Sequence, residues 1–149
     1  MKTSNRGIEL IKRFEGLRLK AYVCSGGIDT IGYGTTILPN GIKVPKGSTC
    51  TKDQAEMFLK NDLEKFESGV HRLVTVPIKQ NQFDALVCFS YNVGLGALGK
   101  STLLKKININ PNSEEIEAEF MKWSYAKHIQ LEGLRLRRKA ESELYEKVN

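Results

Sequence analysis

Glu15 is the residue of this chain whose surroundings best suit acid chemistry. It ends an N-terminal amphipathic stretch, and a glycine-punctuated segment from Tyr22 to Thr36 follows closely. The unpaired carbonyls at a helix C-terminus disfavour an ionised carboxylate, and Phe14 and Leu17 can desolvate it further. A carboxyl group that stays protonated can donate its proton to a departing glycosidic oxygen. The arrangement predicts acid chemistry on a sugar, although a solvated charge remains the alternative at this point.

The other residues that often carry chemistry lack the necessary spacing. His71 and His128 are far apart and show no metal-ligand pattern, so we expect neither a metal site nor a cofactor. Cys24, Cys50 and Cys88 form no CxxC pair. Their number and spacing predict reduced thiols rather than a disulfide framework or a zinc knuckle.

Length and charge narrow the class of protein. A chain of 149 residues matches one domain with its own core. The formal net charge of +6 and the pI near 9.2 indicate an anionic partner, for which nucleic acid, anionic lipid and bacterial cell wall all qualify. No apolar run approaches the roughly 18 residues of a membrane span, and the N-terminus lacks the apolar core of a secretory signal.

Capping residues, glycines and β-prone segments in the sequence predict the elements that position Glu15. The first helix is predicted to begin at Ser4 or Asn5 and to end at Gly16, which places Glu15 in its last turn. From Tyr22 to Val44 the pattern changes to short β-prone pieces, which predict a small antiparallel sheet of two or three strands. Its tight turns are predicted at Ser25-Gly26-Gly27 and Asn40-Gly41.

The chain turns helical beyond Cys50. A capping box at Thr51–Gln54 predicts the start of a long helix, and the apolar segment Ala85–Phe89 predicts a central buried one. The glycines at 94, 96 and 99 are predicted to break the chain before a short turn over 101–106. A terminal helix is predicted after Gly133, with an apolar stripe of Leu136, Ala140, Leu144 and Val148.

Together these elements predict an α+β fold in a single domain over residues 1–149. A sheet lobe of about 16–50 and a mostly helical lobe of about 70–149, packed with the N-terminal helix, are expected to enclose a cleft.

The spacing around Glu15 resembles a known family. Eight residues separate Glu15 from Cys24 and five separate Cys24 from Thr30, and with the motif Thr30–Thr35 this resembles the active-site hairpin of the phage-type lysozymes, also called endolysins or muramidases. Further blocks similar to that family follow in the same order at Gln82–Val87, Tyr91–Gly94, Ser101–Leu104 and Gly133–Glu141.

The resemblance implies a lysozyme-like fold and hydrolysis of the β-1,4 bond between N-acetylmuramic acid and N-acetylglucosamine in peptidoglycan. It makes Glu15 the general acid and Thr30 the hydroxyl that holds the attacking water or the intermediate. Cys24 stands where many relatives have aspartate, so it is a nucleophilic thiolate, a group that positions water, or a packing residue. Asp29 is a substitute carboxylate that we rank below Cys24, because neighbours on a strand point to opposite faces.

The resemblance also implies residues outside the hairpin. Tyr91, Asn92 and Ser101 are expected to bind substrate, and Arg135 is expected to pair with Glu15. Such a partner favours the ionised carboxylate and so opposes the effects of the helix end and of burial. The basic run of Arg137, Arg138 and Lys139 predicts a solvated face, with attraction to anionic wall polymer or the outer-membrane surface as the functional alternative.

The biological role implied is lysis of the bacterial host at the end of a phage cycle. The protein is expected to be a monomer, to be made in the host cytoplasm and to act on periplasmic peptidoglycan, without signal peptide, membrane span, cofactor or nucleic-acid partner. A holin-type pore is the expected route across the inner membrane. A competing hypothesis is a non-catalytic wall-binding or membrane-disrupting module with the same fold.

Overall fold

Helix α1 covers Asn5–Glu15 in the structure of the chain, a computed structural model that describes residues 1–147. Ile8 and Ile11 are buried on one side of the helix, as the pattern predicts. Gly16 ends it with a φ of +71°, a conformation that glycine adopts without strain, while its amide donates to the Lys12 carbonyl at 2.9 Å. Glu15 is therefore the last residue of the helix.

The described chain separates into two compact units. Residues 11–65 form one, called here the sheet unit, and residues 1–10 with the chain from Phe66 onward form the other, called the helical unit.

The sheet unit contains one antiparallel pair, β1 (Arg18–Val23) and β2 (Asp29–Gly32). The predicted small sheet is confirmed, but β1 begins before Tyr22, because Arg18 pairs with Gly32 across an irregular register. The predicted turn over 25–27 closes the hairpin. There the Cys24 amide donates to the Ile28 carbonyl at 3.0 Å.

Helix α2 covers Lys52–Leu73 and begins at the predicted capping box. The Gln54 amide donates to Thr51 Oγ1 at 3.1 Å, and the Thr51 amide donates to Gln54 Oε1 at 2.9 Å. These reciprocal bonds satisfy two amides that a helix start leaves unpaired.

Helix α3 covers Gln80–Val93 in the helical unit, and every residue from 81 to 90 is buried. This confirms the predicted central helix. Two further helices follow, α4 (Leu95–Lys100) and α5 (Thr102–Ile109). The predicted break is right at Gly94 and wrong at Gly96 and Gly99, and the predicted short turn over 101–106 is wrong because most of it is helical. Only Gly94 leaves helical geometry, with a φ of +96°. Leu95 of α4 packs against Gly69, and this tertiary contact outweighs the weak helix propensity of the glycines within α4.

A second hairpin, which the sequence analysis did not predict, follows helix α6 (Ile116–Met121) and a 3-10 turn at Lys122–Ser124. Its strands are β3 (Tyr125–Ala126) and β4 (Ile129–Gln130). Lys127 and His128 form the turn with φ values of +51° and +67°. Two-residue turns with positive φ normally use Asn or Gly, so the sequence carried no hairpin signal here.

Helix α7 covers Glu132–Glu146 and buries charged residues. Arg137 and Arg138 are 4% and 0% exposed, so the predicted solvated basic face is wrong at both positions. The physical reason is that Glu141, also buried, pairs with both guanidinium groups. The predicted apolar stripe is wrong at Leu136, which is exposed, and right at Leu144, while Val148 lies outside the described residues.

Buried carboxylates hold the N-terminal residues against the rest of the helical unit. Asp84 of α3 accepts hydrogen bonds from the Ser4 amide at 3.0 Å and from the Ser4 hydroxyl. Glu67 accepts from the amide and the hydroxyl of Thr3 at 2.6 and 2.7 Å. Among residues 1–147, no helix is both long enough and apolar enough to cross a membrane.

The close approach of α1 to Asp84 makes Gly7 sensitive to substitution. A Cβ at Gly7 would lie 2.9 Å from Asp84 Cβ, an atom that no rotamer can move away. We expect Gly7→Ala to lower the free energy of unfolding by about 1 kcal/mol or more, because overpacking costs about 1–3 kcal/mol and alanine gains about 1 kcal/mol at most from helix propensity. Denaturant unfolding measures the change.

Gly96→Ala is the matched control, because Gly96 is also helical and nothing lies within 4 Å of its added Cβ. This variant should be unchanged or more stable by about 0.5–1 kcal/mol. Equal effects of the two substitutions would contradict the assigned contact.

Candidate active site

The C-terminal end of α1, which carries Glu15, is held in place by contacts of Lys12, about one helical turn before Glu15. Lys12 forms an ion pair with Glu56 of α2, and its ammonium lies 5.6 Å from the centre of the Tyr33 ring. The hydrogen bond from Lys12 lowers the pKa of Glu56. Glu15 itself is half-buried and follows Lys12 on the last turn of the helix. Its carboxyl group is therefore carried by a backbone that is anchored to α2 and to the motif loop.

The glycine-rich motif after Thr30 forms a tight loop. Ile31 and Thr35 exchange backbone hydrogen bonds of 2.9 and 2.8 Å, and Thr35 Oγ1 donates to Asp62 Oδ2 of α2 at 2.7 Å. Gly32 has a φ of +66°, and an added Cβ there would lie 3.3 Å from the Ala55 side chain. Burial raises the pKa of Asp62. The motif thus positions β2 against α2, and its glycine permits the close contact.

The structure brings Cys24 and Thr30 together at the turn end of the first hairpin. The Cys24 sulfur lies within hydrogen-bonding reach of the Ile28 amide, the Gly26 amide and the Thr30 hydroxyl. Thr30 Oγ1 also donates to the Ile28 carbonyl at 2.9 Å. A hydroxyl has one proton, so Thr30 donates either to that carbonyl or to the sulfur.

Hydrogen bonds from the Ile28 amide, the Gly26 amide and the Thr30 hydroxyl lower the pKa of the Cys24 thiol. The other thiols behave in the opposite way, because burial raises the pKa of Cys50 and, more strongly, that of Cys88. Cys24 is also partly exposed, whereas Cys50 and Cys88 are buried. It is therefore the thiol best suited to act as an anion near neutral pH.

Asp29 and Thr30 differ in their surroundings. Thr30 is buried, whereas Asp29 is half-buried and lines an open pocket of about 350 Å³ together with Ile28 and Lys43. In the strand register Asp29 pairs with Val23.

The expected substrate-binding residues Tyr91 and Asn92 lie in the last turn of α3. The Tyr91 ring makes an edge-to-face contact with Phe66 at 5.3 Å and stays half-exposed. Asn92 is exposed, and its Oδ1 accepts a hydrogen bond from Arg138 Nη2. Both side chains combine a structural contact with an exposed part that is available to a ligand.

Ser101 and Arg135 have local structural partners. Ser101 is buried at the N-cap of α5, where its hydroxyl accepts from the Leu104 amide at 3.0 Å and donates to the Leu98 carbonyl at 2.7 Å. Arg135 donates two hydrogen bonds to Glu132 at 2.9 and 2.6 Å. The capping role of Ser101 follows from helix geometry alone.

The described part of the chain contains no group of three or more His, Cys, Asp and Glu side chains able to hold a metal. His71 instead hydrogen-bonds the carbonyl of Met1 at 2.7 Å.

Sequence reasoning missed several residues that build the site. Ile28 is engaged through both its backbone amide and its backbone carbonyl, and Glu56 and Asp62 anchor Lys12 and Thr35. The hairpin turn at 25–27 was the available signal for Ile28. The pairs made by Glu56 and Asp62 cross from one element to another and leave no signal in local spacing.

The chain was compared with known proteins. The family described as Phage lysozyme matches residues 12–141. The endolysin of Acyrthosiphon pisum secondary endosymbiont phage 1 is 44% identical over 98% of this chain and 99% of its own length. The endolysin of Bacillus phage B103 is also 44% identical over 97% of this chain, which spans only 54% of that protein.

The endolysin from Escherichia coli O157:H7 phage FAHEc1 has a similar solved structure. Its TM-score is 0.89 at 40% identity, over 97% of this chain and 93% of that one. The predicted α+β, lysozyme-like fold is confirmed.

The hydrogen bonds at Cys24 predict how this thiol titrates. We expect iodoacetamide to alkylate Cys24 with a half-maximal rate at a pH below about 8.5, the ordinary value for cysteine, because three donors stabilise its thiolate. Thr30→Val removes one donor at constant shape and should move that midpoint upward. Peptide mapping by mass spectrometry measures each site.

Cys50 and Cys88 are internal controls, which should react more slowly at every pH because they are buried. If Cys24 titrated as an ordinary thiol in both proteins, the inferred hydrogen bonds would be wrong.

Proposed function

Since the chain belongs to the phage lysozyme family, we propose that its muramidase reaction is carried out by Glu15, Cys24 and Thr30. The chain is a peptidoglycan hydrolase, a glycosidase of the lysozyme type. The observation that carries the residue assignment is that the Cys24 amide and the Thr30 hydroxyl both donate to the Ile28 carbonyl, at 3.0 and 2.9 Å, on a hairpin that starts three residues after Glu15.

Glu15 is the general acid of this reaction. Cleavage of a glycosidic bond requires a proton on the leaving oxygen while positive charge develops at the sugar carbon. Glu15 is half-buried at the end of α1, and the Lys12–Glu56 pair and the Lys12–Tyr33 contact restrict movement of that helix end. A fixed carboxyl group delivers its proton to one oxygen of the bound glycan, which is the positioning that acid catalysis needs.

Cys24 supplies the negative charge that many relatives obtain from aspartate. Its lowered pKa increases the fraction of thiolate at neutral pH, and an anion stabilises an oxocarbenium-like sugar carbon. The same three donors withdraw charge from the sulfur and make it a weaker nucleophile, since nucleophilicity falls with pKa. We therefore assign Cys24 the roles of electrostatic partner and base toward water, rather than that of a covalent nucleophile.

Thr30 holds the attacking water. Its oxygen keeps lone pairs whether its proton is donated to the Ile28 carbonyl or to the Cys24 sulfur, so it can accept a hydrogen bond from water. A water held between Thr30 and the Cys24 thiolate can transfer a proton to the sulfur as it attacks. This arrangement is the inverting form of glycoside hydrolysis.

Asn92 and Tyr91 are proposed to bind the glycan, since each keeps an exposed part beside its structural contact. Ser101 contributes through its capping of α5, and Arg135 remains the proposed partner of Glu15. No cofactor enters this mechanism.

The proposed setting is lysis of a bacterial host. The protein is made in the host cytoplasm and acts as a monomer on periplasmic peptidoglycan. Its net charge of +6 supports attraction to anionic wall polymer or to the outer-membrane surface. The family match, and not the charge, favours the wall over nucleic acid as the partner.

Glu15→Gln is expected to abolish clearing of isolated cell walls. Removing the acid proton should lower kcat by about 10²-fold or more, the usual contribution of general acid catalysis. Turbidity loss and release of reducing ends measure the effect. Glu9→Gln is the matched control, because Glu9 is exposed on the same helix and should leave activity unchanged. If both variants cleared walls as well as the wild type, a non-catalytic, charge-driven action would replace this proposal.

The fresh product should carry the inverted anomeric configuration, which NMR of the new reducing ends can resolve. Cys24→Asp should keep activity and the same configuration, because a carboxylate is ionised at neutral pH. Cys24→Ser should lose about 10²-fold or more, because a hydroxyl stays neutral. Retention of configuration would identify a covalent Cys24 intermediate, and a fully active Cys24→Ser would remove the thiol from the mechanism.

A further inference from the structure

We propose that Arg138 is a positioning residue, which orients the carboxamide of Asn92 so that its NH₂ group faces the glycan as a hydrogen-bond donor. The proposal rests on the proposed function. It is argued from one hydrogen-bonded pair of side chains. Asn92 is exposed in the last turn of α3, and its Oδ1 accepts a hydrogen bond from Nη2 of the fully buried Arg138.

The guanidinium of Arg138 is fixed on several sides. Its Nε lies 2.9 Å from Glu141 Oε1, and its central carbon lies 5.0 Å from the centre of the Phe89 ring. Phe89 is itself held edge-to-face between Phe120 and Trp123, each with ring centres 5.5 Å away. Nη2 of Arg138, which donates to Asn92, is therefore held in one position.

A fixed arginine decides which way the amide of Asn92 points. Arginine has only donors, so it selects the carbonyl oxygen of Asn92 and turns the NH₂ group away. Hydrogen bonds from a charged donor are roughly twice as strong as neutral ones, which makes the flipped amide unfavourable. Because Asn92 is exposed, its two remaining N–H donors are available to a ligand. Their complement on a wall glycan is the carbonyl oxygen of an acetamido group or a sugar hydroxyl.

Stability does not account for this buried arginine. Nη1 of Arg138 has no hydrogen-bond partner within the part of the chain that the structure describes. A buried donor without a partner costs about 1–3 kcal/mol, and apolar replacements of buried ionic groups are often neutral. Arg137 Nε lies 3.1 Å from Glu141 Oε2, so Glu141 keeps a cation when Arg138 is removed. Holding Asn92 is the contact that an apolar side chain cannot supply.

A double-mutant cycle on kcat/KM, with soluble peptidoglycan fragments as substrate, tests the proposal. We expect Arg138→Met and Asn92→Ala each to lower kcat/KM roughly threefold to tenfold, the value of one hydrogen bond to substrate. The double variant should be no worse than Asn92→Ala alone, because Arg138 acts only through Asn92. Multiplying effects would overturn the proposal. The loss should appear mainly in KM, and Arg138→Lys should recover part of it.

Two further variants keep the result interpretable. Lys139→Met is the matched control, because Lys139 is the exposed neighbour of Arg138 and should leave kcat/KM unchanged. If Arg138→Met does not fold, Asn92→Asp decides, because it keeps an acceptor for Arg138 but loses the outward donors. Full kcat/KM in Asn92→Asp would overturn the proposal.

Failure of the proposed function would look different. It would appear as a wild-type protein that releases no reducing ends, or as an active Glu15→Gln variant, before any effect at position 138 is measured.

Discussion

Burial of residues 81–90 of α3 is the constraint that organises the helical unit. A helix with ten consecutive buried residues cannot leave its polar side chains to water, and a buried polar group without a partner costs about 1–3 kcal/mol. Three of these side chains, those of Asn81, Gln82 and Asp84, form hydrogen bonds with three different segments. Asp84 accepts from Ser4, Gln82 donates to the Pro111 carbonyl at 3.2 Å, and Asn81 donates to the Tyr145 carbonyl at 2.8 Å. The N-terminal residues, the loop before α6 and the end of α7 are thus all located by one helix.

The same constraint explains the charged face of α7. Arg137 donates to the Cys88 carbonyl of α3 at 3.0 Å, and both Arg137 and Arg138 contact Glu141. Such buried ionic groups contribute little net stability compared with apolar packing. What these buried groups determine is orientation, because guanidinium groups fix the direction of the oxygen atoms they contact. At Asn92 that fixed orientation reaches the surface and links the packing of two helices to the proposed recognition of the glycan.

In the sheet unit, the first hairpin orients the hydrogen-bonding groups around Cys24 and Thr30. One residue, Ile28, directs its amide to the Cys24 sulfur and its carbonyl to the Thr30 hydroxyl, through two adjacent peptide units. This geometry stabilises a thiolate without any buried cation beside it. It offers a physical reason why cysteine can replace aspartate at this position: hydrogen-bond donors supply part of the stabilisation that a thiol otherwise lacks.

The sequence by itself determined the local features: the end of α1 at Gly16, the hairpin turn before Ile28, the capping box of α2, and the buried α3. Each depends on residues a few positions apart, whose backbone preferences and periodicity are visible in the chain. Only the tertiary structure decided that Arg137 and Arg138 are buried, that the segment after Gly94 is helical, and that a second hairpin forms at 125–130. The arginines are buried where they reach the Cys88 carbonyl and Asn92 of α3, and α4 is held by the contact of Leu95 with Gly69. These contacts join residues distant in sequence, and local spacing does not record which surfaces meet.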